Sequence, residues 1–408
     1  MTAQTKKIVA MAEKIVAMAG KANRGARRHR LRHPGAGAGL WRSSGEGGRI
    51  TASTSCAIMT EDVPPEAADP TALTGALRDA GVLTDGLVAE ATVLGDYPTI
   101  VSRIVRLRLT YDDAPADAPG TIILKTGLPR TMSKDWNGGR QEVEFYTRIA
   151  PMLPDGVVPR CFQAHWSPDT GAWHLLLEDL TDTHAVATHW PLPPTRADCE
   201  TILTAHARLH AAWWNDPRLG VTVGNWLVIE DYQQRVERDY AAMADRLGEN
   251  LSLGRRNLYR RFLDAIPRLY ARYQTHRDMT IVQGDSHIWN CFLPRNGGIG
   301  VRLFDWDSWR IHLSAVDLAY MMAMHWYPDR RQQMERTLLD HYHNVLVTNG
   351  VTLYSRRALE DDYRWAVLTR LALPPMLAGA RIPPVIWWNH LERILMAVDD
   401  LGARALLG

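Results

Sequence analysis

The sequence predicts an α+β protein of two lobes, strand-rich over residues 91–180 and helical over 181–408, with the cleft between them as the natural ligand site. Two observations carry this. Apolar residues alternate with polar ones through "EATVLGDYPTIVSRIVRLRLTYDD", "TIILKTG", "RCFQAHW" and "AWHLLLEDL", the period of half-buried strands. After about Thr181 they recur three or four apart, the period of amphipathic helices, in "CETILTAHARLHAAWW", "EDYQQRVERDYAAMADRL", "RRNLYRRFLDAIPRLYARYQTH", "LSAVDLAYMMAMHW" and on to "WWNHLERILMAVDDLGARALL".

The elements follow in order. Within the lead-in of residues 59–90, "PTALTGALRDAG" has helical spacing and ends at a glycine stop. The strands come next, and one helix, "GRQEVEFYTRIAPML", is set among them with Val143, Tyr146 and Ile149 on its apolar side. In the helical lobe only residues 279–309 break the helical period.

Composition suits a globular chain: 408 residues, 46% hydrophobic, 23% charged, formal net charge +2. No apolar run reaches the roughly eighteen residues of a spanning helix. Cys56, Cys161, Cys199 and Cys291 lie far apart without the paired spacing of zinc sites, so a reduced, cytoplasmic protein is expected. The charge is uneven. Residues 1–58 carry eleven Lys/Arg and two Asp/Glu, leaving 36 basic against 43 acidic residues in the body. That segment opens on the repeat "KIVAMAEKIVAMAG" and turns into "RGARRHRLRHPGAGAGLWRSSGEGG", a composition that cannot bury a core. It reads as a disordered basic extension. A targeting or nucleic-acid-binding arm, an interaction helix and a functionless segment are the three uses open to it, and no nucleic acid is expected on the body.

The chemistry gathers in "IVQGDSHIWNCFLPRNGGIGVRLFDWDSW", residues 281–309. A hairpin closed by Asn296-Gly297-Gly298 returns the chain so that Asn290 and Asp305 become neighbours, a pair of oxygen donors suited to Mg²⁺. Asp285, five residues before Asn290, lies at the same edge and is placed to accept a hydroxyl proton. This is the D-x-x-x-x-N spacing, followed by a metal-binding Asp, of kinase catalytic loops. Phosphoryl transfer from ATP also needs a strand lysine and a helical glutamate. Lys125 ends the apolar strand "TIILKTG", and Glu142 is preferred over Glu144 as its partner. Backbone groups of Glu178 and Leu180, in "LLLEDL", are candidates for an adenine-binding hinge, and Gly95 and Ser102 in "LGDYPTIVS" for phosphate contacts.

The chain resembles the aminoglycoside phosphotransferase and choline kinase-like superfamily, including its ecdysteroid kinase-like branch, over roughly residues 70–405. "QGDSHIWN" looks like that family's H-G-D-x-H-x-x-N loop, "LFDWD" its metal motif, "DLAY" the helix start after it and "ARLHAAWW" the helix before it. The resemblance implies a protein-kinase-like fold and an ATP- and Mg²⁺-dependent kinase acting on a hydroxyl of a small molecule. By it Asp285 is the base, Asn290 and Asp305 the metal ligands, Lys125 and Glu142 the phosphate-holding pair, and Asp317 a brace for the loop. Gln283 stands where the family has His. Two rival readings are a non-catalytic nucleotide-binding protein of the same fold and a nucleic-acid-associated protein working through its basic tail.

Plainer readings accompany the rest. Asp307 is either a solvated loop residue or a second metal contact, and His287 either bonds within the loop or binds metal. His206 and His210 favour packing over zinc, since no acid follows in the H-E-x-x-H manner. Fifteen Trp suit a core or a cleft for bulky alcohols, and Glu360, Asp361 and Asp362 read as a solvated face.

Overall fold

The computed structural model describes residues 66–99, 102–128, 138–187, 194–295, 300–380 and 382–408. The basic extension of residues 1–58 and the Asn296-Gly297-Gly298 turn lie outside the described residues. Helix α1, Pro70–Asp79, starts where the Asp69 carboxylate accepts the N–H groups of Thr71 and Ala72, with Pro70 in the first turn. Strands β1 (Leu87–Pro98), β2 (Ser102–Asp112) and β3 (Thr121–Gly127) follow. Helix α2, Gly138–Glu144, runs on as a π-helical turn, Phe145–Ile149. Strands β4 (Cys161–Trp166) and β5 (Trp173–Glu178) complete an antiparallel sheet in the order β1-β2-β3-β5-β4.

The period-two pattern gives this sheet two faces. Val105, Leu107, Leu109, Ile122, Leu124 and Leu176 pack against Leu73 and Leu77 of α1 in a core of their own. The other face carries Lys125, with Leu175 opposite it in register and joined to the main core. An amphipathic strand thus turns its lysine toward the cleft because its Ile122 and Leu124 are owed to α1.

Beyond the short β6 (His184–Val186) come α3 (Arg196–Ala212), α4 (Ile229–Leu247) and α5 (Leu253–Gln274). The non-helical interruption is longer than the sequence suggests. It holds β7 (Met279–Val282), β8 (Cys291–Pro294), β9 (Arg302–Leu303) and β10 (Arg310–Leu313), so it extends to Leu313 rather than ending at residue 309. The segment "RIHL" is short and buried on three of four positions, which periodicity cannot separate from a helix. Helix α6, Ala315–Ala319, continues as a second π-helical turn, Tyr320–Met324. Helices α7 (Pro328–Thr348), α8 (Arg356–Thr369), α9 (Leu373–Gly379) and α10 (Pro384–Asp400) close the lobe. Trp213, Trp306, Trp326 and Trp387 are fully buried in it. Among the described residues no helix is long and apolar enough to cross a membrane.

Asp362 corrects the reading of "LEDDYRW" as a solvated face. It is buried, accepts two hydrogen bonds from Arg272 of α5 at 2.9 and 2.8 Å, and takes the Tyr354 phenol at 2.8 Å. The partners come from ninety and eight residues upstream, so only the fold supplies them.

Candidate active site

Lys125 is the centre of the site. Its ammonium lies 2.6 Å from one Glu142 oxygen and 2.7 Å from the other, and 3.3 Å from Asp305 Oδ1. Glu144, two residues along the same helix, pairs instead with Arg148. Burial alone would discharge Lys125, but the Glu142 carboxylate first and Asp305 next outweigh it and raise its pKa above the ordinary lysine value. Glu142 is pushed up as well, by burial and by the fields of Asp305 and Asp307, against the pull of Lys125. The Lys125 shift reports the negative charge gathered around it.

The hairpin arms do what their spacing predicts. β8 and β9 pair with Cys291 opposite Leu303, and the Phe304 N–H donates to the Asn290 carbonyl at 3.0 Å, bringing Asn290 beside Asp305. Asn290 donates its amide N–H to the Asp285 carbonyl at 2.8 Å and lies 3.3 Å from Asp285 Oδ2, so its amide oxygen is the end turned away from Asp285. Asp305 has φ +70°, a left-handed backbone rare outside glycine, which the surrounding structure must impose. The next residue holds it there. Trp306 stacks on Phe145 at 3.8 Å and 4°, and its N–H is 3.5 Å from Glu142 Oε1. An aromatic pair of this kind is worth about 0.5–1.5 kcal/mol beyond area burial.

The loop around Asp285 is braced from below. Asp317, at the start of α6, accepts the backbone N–H of Gln283 at 2.8 Å and of Gly284 at 3.0 Å, while Ser286 Oγ donates to the Asp317 carbonyl. Burial works against this carboxylate, but the bond from His210, the fields of His210 and His206, and the Gly284 N–H hold its pKa far below the usual range. His206, His210 and Asp317 place one donor atom each within 4.8 Å of one another, a spacing a metal ion would accept. The Asp317 oxygens are already taken by two backbone N–H groups and His210 Nε2, so the cluster reads as a brace. Gln283 donates its side-chain N–H to the Phe304 carbonyl at 2.7 Å, tying the loop to the strand that leads into Asp305.

Two residues went unsuspected. Tyr320, the last letter of "DLAY", donates its phenol to Asp285 Oδ1 at 2.6 Å. Gln141 and Trp309 clamp the lobes reciprocally: the Trp309 indole donates to the Gln141 carbonyl at 2.7 Å, and the Gln141 amide donates to the Trp309 carbonyl. Trp309 was visible in the motif, but nothing local marks its partner.

The nucleotide-side residues are placed less simply. Gly95 lies inside β1 opposite Arg106, at a register shift, with the Tyr97 ring occupying the space a Cβ would need. Ser102 opens β2 opposite Gly127, two residues past Lys125, with its hydroxyl 2.7 Å from that of Thr99. Glu178 ends β5, where its carboxylate accepts the Arg160 N–H at 3.0 Å. The Leu180 carbonyl accepts N–H bonds from Thr183 and His184, which uses both of its lone pairs. Asp179 between them is held by Arg106 and Thr181, anchoring this turn to the sheet. Asp307 accepts from Ser308 Oγ at 2.9 Å, and His287 Nε2 lies 3.6 Å from Asp285 Oδ2.

The donor set fits a divalent cation. Asp305, Asp307 and the Asn290 amide are oxygen donors, and one ammonium faces the carboxylates of Glu142, Asp305 and Asp307.

The ecdysteroid kinase-like family model matches residues 229–353. That stretch contains Asp285, Asn290, Asp305, Asp317 and Tyr320, while Lys125 and Glu142 lie upstream of it. No curated protein matches the chain. Among solved structures, an aminoglycoside phosphotransferase-like protein from Ralstonia eutropha is similar at TM-score 0.51 and 14% identity, covering 82% of this chain and 97% of its own. A microcompartment-associated aminopropanol kinase (TM-score 0.47, 14% identity, 81% and 96% covered) and choline kinase LicA from Streptococcus pneumoniae (0.45, 13%, 78% and 94%) are also similar. The chain shares the two-lobed α+β fold of the first of these.

Proposed function

We propose that the chain is an ATP- and Mg²⁺-dependent phosphotransferase that phosphorylates a hydroxyl group of a small molecule. The observation that carries the reading is the convergence of Lys125, from the strand lobe, on Glu142 and on Asp305, from the hairpin that also positions Asn290. Three separated stretches of chain supply these groups, and packing alone gives no reason for a lysine to face two carboxylates across a cleft.

Asp285 receives the acceptor hydroxyl. Tyr320 fixes one of its oxygens, leaving the carboxylate oriented to take the proton as the oxygen attacks the γ-phosphorus. Lys125, kept charged by Glu142, holds phosphate oxygens of the nucleotide. Asn290 and Asp305, with Asp307 beside them, would hold Mg²⁺, which when bound neutralises charge on the transferring phosphoryl group. Glu178 and Leu180 frame the adenine end, where the Glu178 N–H and the Leu180 carbonyl are already bonded and the Leu180 N–H is the proposed recognition element. Gly95 and Ser102 are proposed on the phosphate side, Ser102 being the nearer to Lys125 in register.

The test is a screen of ATP consumption over hydroxylated amines, sugars, sterol alcohols and macrolides, with ³¹P NMR to identify a phosphate ester. A Mg²⁺-dependent ester is expected, and its loss in Asp305→Asn. Failure of Mg-ATP to bind the intact chain would remove the reading.

A further inference from the structure

His390 stands on the inner face of α10, 4% exposed, and neither of its ring nitrogens has a hydrogen-bond partner among the described residues. Other buried imidazoles of the chain are satisfied: His210 by the Tyr342 phenol and Asp317, His184 by Thr183 Oγ1 and the Gly300 carbonyl, His325 by the Tyr320 carbonyl. A neutral imidazole carries one N–H donor and one acceptor lone pair, and closing both away from water without partners costs stability. That cost is recovered when a ligand supplies the partners.

Its place ties it to the candidate site. Helix α10 packs on the π-helical turn that opens at Tyr320. The His390 ring lies 4.8 Å from that of His325, centroid to centroid, and His325 in turn lies 5.0 Å from Tyr320, 5.7 Å from Trp289 and 5.6 Å from His287. Tyr320 bonds Asp285 at 2.6 Å, and His287 Nε2 lies 3.6 Å from the same carboxylate. Burial orders these groups in depth. Asp285, Trp289 and Tyr320 are half-buried and form the mouth, while His287, His325 and His390 are buried behind it. One unsatisfied donor and acceptor therefore sit a single ring behind the groups that flank the base.

The surroundings select what the ring can bind. Burial first and Arg393 next keep the imidazole neutral, Arg393 lying one turn along α10 with its guanidinium 4.7 Å over the Tyr327 ring. A cation is repelled there, and an anion loses its hydration to face a neutral ring. A hydroxyl or carbonyl oxygen matches what a neutral imidazole offers.

We propose that His390 recognises the acceptor, its imidazole hydrogen-bonding an uncharged oxygen of the small molecule, a second hydroxyl or a carbonyl, while the reacting hydroxyl lies at Asp285 beside Trp289 and Tyr320. This rests on the phosphotransferase reading. The His390 nitrogens are closed to solvent, so the acceptor reaches them by parting the Trp289 and His325 rings in front. His390 takes no part in the bond changes, which remain those at Asp285 and the γ-phosphorus.

The test is a side-chain nitrogen NMR spectrum of the intact chain carrying ¹⁵N-labelled histidine, in which the His390 signal is identified by its loss in His390→Gln. Acceptors are added with a non-hydrolysable ATP analogue in matched pairs, a sterol diol against its monohydroxy counterpart and a sugar against its deoxy form. The His390 signal should move with the member that keeps the second oxygen and stay in place with the other. In turnover, His390→Leu should raise KM for that member about tenfold, the worth of one hydrogen bond, with KM for ATP unchanged, and His390→Gln, which keeps a donor and an acceptor, should fall between. The glutamine variant serves alone if the leucine variant fails to fold. A His390 signal that moves with an acceptor that is never phosphorylated would keep the recognition and remove the kinase reading. Phosphorylation of an acceptor with the signal unmoved, a signal unmoved by every member, or a KM rise shared equally by both members of a pair would overturn the recognition.

Discussion

Tyr320 donates its phenolic hydrogen to Asp285 Oδ1 at 2.6 Å, and the tyrosine is the first residue of a π-helical turn. Such turns insert a residue into a helix and re-aim the side chains beside it. Here the turn follows Asp317, so one short segment both braces the loop and orients its carboxylate.

Tyr320→Phe is expected to leave fold and nucleotide affinity intact while lowering turnover about tenfold to a hundredfold, the worth of a hydrogen bond to a charged group. Asp285→Asn should lower it further, by roughly a hundredfold to ten-thousandfold. Turnover with the identified acceptor, alongside thermal midpoint and ATP affinity, separates the two. Near-normal turnover in Asp285→Asn would mean the loop does not act as a kinase loop does.

Lys125→Ala and Asp305→Ala should fail differently. The first weakens nucleotide binding whether or not Mg²⁺ is present, whereas the second removes the Mg²⁺ dependence of binding and abolishes turnover. Nucleotide titrations with and without Mg²⁺ decide it. An Asp305 variant that binds Mg-nucleotide as the parent does would displace the metal assignment.

Asp317→Ala leaves the N–H groups of Gln283 and Gly284 buried without an acceptor, at about 1–3 kcal/mol each. A lower urea midpoint is expected together with loss of turnover. Retention of both would show the loop to be held by other contacts.

The brace is also acid-sensitive. Burial lowers the pKa of His206 to about 4 and of His390 to about 3. Each stays neutral in the folded chain while the unfolded chain takes up a proton below about pH 6.5. They therefore cost nothing above that pH, and stability falls as pH drops from there toward the folded values. Urea midpoints at pH 7, 5 and 4 should decline, and His206→Leu should flatten the decline. Equal slopes in parent and variant would exclude His206 as a source.

The loop residues Asp285, Asn290 and Asp305 were legible because a short hairpin allows few geometries, and Lys125 because a strand lysine demands a partner. Asp362 was not, since the acidic residues before it, Glu360 and Asp361, are solvated and its partner Arg272 belongs to another helix. Tyr320 was hidden by the π turn, which breaks the 3.6-residue period on which helix faces are read.

The reciprocal bonds between Gln141 and Trp309 set how the cleft can open. Gln141 adjoins Glu142, so the helix that steadies Lys125 is stitched to the lower lobe rather than riding with the sheet. A simple jaw motion about the turn at Leu180 would tear both stitches. Under the proposed function, opening the cleft would therefore require these bonds to break or Lys125 to part from Glu142. In that reading, product departure and separation of the Lys125–Glu142 pair would be coupled.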